Sequence, residues 1–581
     1  MTLALHGNGI SRGVALGTAH VVHRNALDIV EYTVDEVALP GEEARLSLAV
    51  QQAREGLREM RERIPPNTPA DISAFIDTHL LMLDDAALTD EPRRFIRERR
   101  CNAEWALKLQ RDALVAVFDS MDDPYLRTRR DDVDHVINRV LRILLNHAPA
   151  RHEVPEGSLE GVILVADDLS PADALLMQHH GIVGFVTEYG GPTSHTAIIA
   201  RSLALPGVVG VPHARRYLRE GEPVIIDGDE GVVLADADAR ITDFYRGKRE
   251  ARQKRQARLA RLRRAPAVTV DGLPIELVAN VELEMDFDAA RTAGARGVGL
   301  YRTEFLYMNR PDIPTEAEHF AAYKLLVEAF KSQPVTIRTL DIGADKQVSP
   351  GVSMRANSIN PALGMRAVRL GLKERDLLVP QLRAIVRASS LGKVRLMVPM
   401  LSHVEEALQV TALIRGIQAE FAQAGVAFDA AMPIGGMLEV PAAVAWTDGF
   451  AKVLDFLSIG TNDLIQYAVA IDRVNEEVAY LYDPLNPGVL RLIDMAIRLA
   501  DGAGCPIAMC GEMAGEKRYT RLLLALGLRI FSVHPSLLLE VKQVITETDV
   551  SAARRVVTKA LRTNDEARYR ELVGQLLVSP G

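Results

Sequence analysis

The chain has 581 residues, 48% of them hydrophobic and 25% charged, with a formal net charge of −9. That composition fits a soluble protein of about three or four domains, and its acidic balance excludes a global nucleic-acid footprint. Three cysteines, Cys101, Cys505 and Cys510, are too few for a disulfide framework. With no signal peptide and no bilayer-length apolar run legible, a cytoplasmic protein without membrane insertion is expected.

The first 25 or so residues predict a short β segment, GVALGTAHVV. From about Glu42 to Asn146 the apolar residues fall three and four apart, as in EEARLSLAVQQAREGLREMRERI and DDVDHVINRVLRILLNH, with PPNTP breaking one helix from the next. Short β-branched runs then return: GVILVA, GIVGFV, PGVVGV, PVIIDG and GVVLA. The pattern predicts a small β/α domain, residues 1–30 and 148–240, interrupted by a four-helix insertion over residues 31–147. Inside the second part, GGPTSHTAIIARSLALPGVVG (residues 190–210) sets His195 between hydroxyl side chains at the mouth of a helix. On residue statistics alone, an isolated histidine before a helix reads as a cap or a surface residue.

Residues 241–265 are strongly basic and helix-favouring. They could meet an acidic partner or RNA, but a charge run of this kind is more often a solvated connecting helix. Over residues 266–581, eight short apolar runs alternate with helical stretches: IELVANV, GVGLY, VTIRTLDI, VRLMVPM, IGGMLEV, LDFLSIG, CPIAMC and LRIFSV. Eight such alternations over about 300 residues predict a (β/α)8 barrel. The whole chain therefore reads as multidomain α/β.

In such a barrel chemistry collects at the C-terminal strand ends. Those ends carry Asn280, Arg302, Arg338 with Asp341 and Lys346 beyond, Glu439, Asn462 with Asp463, and Cys510. One arginine there is often a rim ion pair; several together are hard to explain as packing. Arg302, Arg338 and Lys346, with Arg366 and Arg473 as further candidates, suit a phosphate or carboxylate. Glu439 and Asp463 suit Mg²⁺ or paired acid–base work, and the arginines favour the metal–phosphate reading. A lone buried cysteine is usually inert. The place of Cys510 among charged groups argues otherwise, whereas Cys505 at the other end of its strand reads as structural.

GGPTSHTAIIARSLALPGVVG resembles the phosphohistidine signature of the phosphoenolpyruvate-utilising enzymes. GVGLYRTEFLYMNR, IRTLDIGADK, NPALGMRAVRL, SIGTNDLIQYAVAIDR and MCGEMAGE resemble that family's barrel motifs. The resemblance runs nearly end to end and lies nearest the Enzyme I branch of the bacterial sugar phosphotransferase system. It implies that His195 is the phosphorylated residue and that Arg302, Arg338, Asn462 and Arg473 bind phosphoenolpyruvate. It further implies Glu439 and Asp463 as Mg²⁺ ligands, Cys510 as proton donor, and a homodimer formed through the barrels. The FIDTHLLMLDD stretch, residues 75–85, resembles the segment that docks the phosphocarrier HPr, with Phe75, His79, Leu80 and Met82 as contact candidates. Pro192, Ser170 and Val474 depart from the family pattern. Pyruvate phosphate dikinases and phosphoenolpyruvate synthases fit less well, since no Gly-rich nucleotide loop is legible. A regulatory relative without catalysis is disfavoured by the intact His195, Glu439, Asp463 and Cys510.

Overall fold

A computed structural model describes residues 2–11, 13–22, 29–63, 70–119, 124–145, 160–167, 181–189, 205–307, 312–342, 361–473, 475 and 477–578. The chain divides into two units, Met1–Arg255 and Gln256–Gly581.

The first unit is built on an eight-stranded sheet of order β1-β8-β7-β3-β4-β5-β6-β2. Its strands are β1 (Leu3–His6), β2 (Asn8–Ser11), β3 (Val14–Val21), β4 (Val162–Ala166), β5 (Gly184–Thr187), β6 (Gly207–Val209), β7 (Pro223–Asp227) and β8 (Val232–Ala235). β3 through β6 pair in parallel. β4 and β5 are buried almost throughout, which is why they read as unbroken apolar runs rather than alternating ones. β1 and β2, both absent from the sequence expectation, close the two edges by antiparallel pairing with β8 and β6. LALH holds no β-branched residue and NGIS only one apolar side chain, so neither shows the β-branched run that marks the other strands of the sheet.

The helical insertion leaves after β3 and returns at β4. Those two strands are direct neighbours, Thr18 opposite Val162 through Val21 opposite Val165. Among the described residues the insertion holds five helices rather than the expected four: α1 (Leu39–Arg63), α2 (Ala70–Asp84), α3 (Ala86–Arg99), α4 (Ala103–Asp119) and α5 (Pro124–Leu144). The additional break is Asp85. Its extended backbone and a carboxylate accepting from the Ala87 amide at 2.8 Å end one helix and cap the next within a single residue. The helices share their own apolar core, including Leu46, Leu57, Leu83, Ile96, Leu107, Ile137 and Leu141. The basic segment forms α6 (Ala239–Arg261). It is not wholly solvated, because Lys248 pairs with the buried Asp227 and Arg252 with Asp229 at 2.8 Å, tying its middle turns to the end of β7 and the turn after it.

The second unit is a closed barrel of eight parallel strands. These are β9 (Glu276–Val281), β10 (Val298–Tyr301), β11 (Val335–Arg338), β12 (Val394–Val398), β13 (Ile434–Leu438), β14 (Phe456–Ile459), β15 (Ile507–Met509) and β16 (Ile530–Val533). Each lies within one of the eight apolar runs. Leu300, Met397, Met437 and Cys510 pack together as a small cluster with Phe456 beside them.

Candidate active site at the barrel mouth

Most of the selected barrel residues stand at strand ends, and the structure joins several through one buried network of charges. Arg338 ends β11. One of its terminal nitrogens donates to Glu304 and the other lies 3.2 Å from Asp341. Burial opposes its charge, but the carboxylates of Glu304, Asp341 and Glu439 outweigh that and hold it firmly protonated. Arg366 bridges the same Asp341, at 2.8 Å, to Asp463, at 3.2 Å. Arg473 reaches Asp463 at 3.7 Å from a more exposed position. Arg302 is the most exposed of these arginines, with 43% of its side chain accessible, and among the described residues its ion-pair partner is Glu282 at 3.7 Å.

Glu439 follows β13 and is 3% exposed. It accepts from the Met400 amide at 2.6 Å, and Met400 holds a left-handed backbone, φ 56°, to present that amide. Burial, then the nearby carboxylates of Asp463 and Asp341, pushes the Glu439 carboxyl up to about 8. An excess of buried negative charge is what a hard divalent cation would relieve. Among the described residues no group of three or more His, Cys, Asp or Glu is placed to hold a metal by itself. Glu439 and Asp463, whose charges bear on one another, are the residues whose chemistry suits such a cation. Gly460, between them in sequence, has no room for a side chain: a Cβ there would stand 2.7 Å from Glu439 Oε2.

Cys510 follows β15 and is buried. Its sulfur accepts from Ser458 Oγ at 3.2 Å and lies 3.8 Å from the Ile459 carbonyl. Burial raises its pKa, and Glu439 adds to the rise; the Ser458 hydrogen bond, Arg338 and Arg302 oppose it. The net effect keeps a neutral thiol, the form able to give a proton. Its own carbonyl accepts from Asn280 Nδ2 at 3.0 Å, and Asn280 is held in turn by Ser532 at 2.6 Å. Asn462 is engaged at both ends of its amide by Glu512, at 2.9 Å each.

Glu304 and Ser458 escaped the sequence reading. Glu304 lies two residues past Arg302, and only the fold shows that it turns back to Arg338. His195, Lys346, Ser170, Pro192 and Val474 lie outside the described residues. In the first unit His79 and the partly buried Leu80 and Met82 lie on α2. Phe75 belongs to the same helix.

Residues 6–129, 158–231 and 256–550 match, in order, the N-terminal, mobile and phosphoenolpyruvate-binding domains of the phosphoenolpyruvate-utilising enzymes. The chain is 47% identical over 584 residues to the phosphoenolpyruvate-protein phosphotransferase of Cupriavidus necator, covering 99% of this chain and 100% of that one. It is 38% identical over 559 residues to the Bacillus subtilis protein of the same name, covering 96% of each. It is 39% identical to that of Geobacillus stearothermophilus over 552 residues, covering 95% of this chain and 94% of that one.

Proposed function

The chain belongs to the phosphoenolpyruvate-utilising enzymes, its activity is phosphoryl transfer from phosphoenolpyruvate to protein, and we propose that the transfer runs through His195 to an HPr-like carrier as the first step of sugar uptake by the phosphotransferase system. Phosphoenolpyruvate lies at the barrel mouth, its phosphate met by Arg302 and Arg338, with Arg366, Arg473, Asn462 and Lys346 completing the binding set. Bound Mg²⁺, held by Glu439 and Asp463, supplies positive charge to the substrate oxygens. The residues then have mainly to position the phosphoryl group and neutralise it. Neutral imidazole at His195 is the nucleophile. As the phosphorus–oxygen bond to the enol oxygen breaks and a bond to the imidazole nitrogen forms, the enolate is left behind. Cys510 gives its proton to the enolate carbon, and pyruvate leaves.

The observation that carries this reading is the burial of the Cys510 thiol, in contact with Ser458 at 3.2 Å, at the end of a closed barrel whose mouth also holds Arg338 and Glu439. Residues 1–30 and 148–240 act as the swivelling phosphohistidine region and residues 31–147 as the carrier-binding bundle, docking HPr through Phe75, His79, Leu80 and Met82. Residues 241–265 link to the catalytic and dimerising barrel, residues 266–581, in a cytoplasmic homodimer. No helix among the described residues is long and apolar enough to cross a membrane.

The test supplies labelled phosphoenolpyruvate, Mg²⁺ and purified HPr. Native protein should acquire acid-labile, base-stable label, pass it to HPr and release pyruvate. His195→Ala should bind phosphoenolpyruvate and acquire none. Label on that variant would refute the assignment.

A further inference from the structure

Behind the wall that carries Arg302 and Arg338 lies a chain of five buried polar side chains. At its centre is Gln381, 0% exposed, on the helix Arg375–Ala388. Its Oε1 accepts from the Leu340 amide at 2.9 Å, and its Nε2 donates to Thr303 Oγ1 at 3.0 Å and Tyr323 OH at 3.1 Å. The Leu340 amide can only donate, so it fixes which end of the carboxamide faces which partner. Thr303 passes its own proton to the Arg338 carbonyl at 3.1 Å. Beyond Tyr323, His319 continues the chain at 3.1 Å and Tyr307 follows at 3.2 Å.

The backbone points Gln381 holds are informative. Thr303 follows Arg302 directly. The Arg338 carbonyl and the Leu340 amide bracket the end of β11. The strand ladder reaches these ends, pairing Tyr301 with Ile337, but through an irregularity. Val298 stands opposite Val335 but Tyr301 opposite Ile337, a shift of register between β10 and β11. The neighbouring β9–β10 pair is shifted as well. A bulge of this kind twists the strand and re-aims the side chains at its end, so their spacing depends on what else holds the backbone there. Placing five polar side chains in a core position that apolar residues could fill is an expensive way to gain stability, but a satisfied network fixes one geometry.

We infer that Gln381 is a positioning residue that, through Thr303 and Leu340, sets the spacing of Arg302 and Arg338 and so shapes the site for the substrate's phosphate. This rests on the assignment of those two arginines as phosphate donors. Loss of the amide should weaken recognition of the phosphate and leave recognition of the rest of the substrate intact.

The test compares the KM for phosphoenolpyruvate with the product-inhibition constant of pyruvate, which lacks the phosphate, in the full-length protein. Gln381→Leu removes all three amide bonds at similar volume, and Thr303→Val removes the hydroxyl link isosterically. Each should raise KM by roughly 10- to 100-fold, the range expected of an ångström-scale misplacement. The pyruvate constant should stay within about twofold and kcat should change less than KM, while the double variant should be no worse than Gln381→Leu. If Gln381→Leu does not fold, Thr303→Val carries the comparison. A parallel shift of both constants, unchanged constants, or multiplied effects in the double variant would overturn the inference. Arg302→Ala is the reference: an unchanged KM there would overturn the arginine assignment itself, independently of how the Gln381 and Thr303 variants behave.

Discussion

The chemistry of individual residues at the mouth depends on which of them burial leaves neutral. Cys510 keeps its proton because burial raises the thiol pKa against the pull of Ser458 and Arg338. Cys510→Ala should therefore lower pyruvate formation by about 100-fold or more, in the range lost with a proton donor. It should leave phosphoryl exchange between His195 and the carrier near the native rate, and comparing the two assays checks this. Glu439 gives a pH prediction of definite sign. Its carboxyl lies near 8 in the folded chain against 4.5 unfolded, so the folded state favours the protonated form. In chelator, that contribution to stability is complete below pH 4.5 and is lost as pH rises through about 8. Thermal unfolding of metal-free protein between pH 5.5 and 8.5 should show this decline, and Glu439→Gln should flatten it. Mg²⁺ binding should displace the proton, so affinity should rise with pH over the same window. At this scale the sequence showed the donors but not their connections. Arg302, Arg338, Glu439, Asp463 and Cys510 could be picked out because strand ends in a barrel carry chemistry. Glu304 and Ser458 could not, because their part is set by contacts 34 and 52 residues away in the chain.

Among the elements, the barrel strands were readable because each is a short apolar run bounded by turns, and all eight runs contain a strand of the closed barrel. β1 and β2 were not: LALH has no β-branched residue, NGIS has a single apolar side chain, and both are defined by their partners rather than their own pattern. The fifth helix of the bundle was hidden because one capping residue, Asp85, interrupts a stretch whose apolar spacing continues across it. Junctions between strands and the following helices are tight in the same way. A Cβ at Gly511, just after Cys510, would come within 1.9 Å of Thr461 Oγ1 and 2.6 Å of the Thr461 amide nitrogen. Backbone must shift to relieve that, so Gly511→Ala should cost about 1–3 kcal/mol of stability, read from urea unfolding. It should also displace Cys510 and Asn462 together, lowering turnover more than Gly→Ala at the open Gly574.

For the whole molecule, the division at Arg255 separates every described residue of the barrel mouth from the sheet and bundle. A fragment of residues 1–255 keeps a complete eight-stranded sheet and a bundle with its own core, enough to fold alone. It lacks Arg302, Arg338, Glu439, Asp463 and Cys510. It should accept phosphate from phosphorylated HPr and none from phosphoenolpyruvate; labelling the fragment with each donor in turn checks both halves. Label taken directly from phosphoenolpyruvate would end the proposed division of labour. The bundle itself enters and leaves between β3 and β4, which are hydrogen-bonded neighbours with continuous register. Removing or exchanging it would leave every rung of the sheet in place. Evolution can therefore treat the bundle as a cassette. If it is the carrier-reading part, a lineage can acquire a new partner by rewriting five helices while inheriting the sheet unchanged.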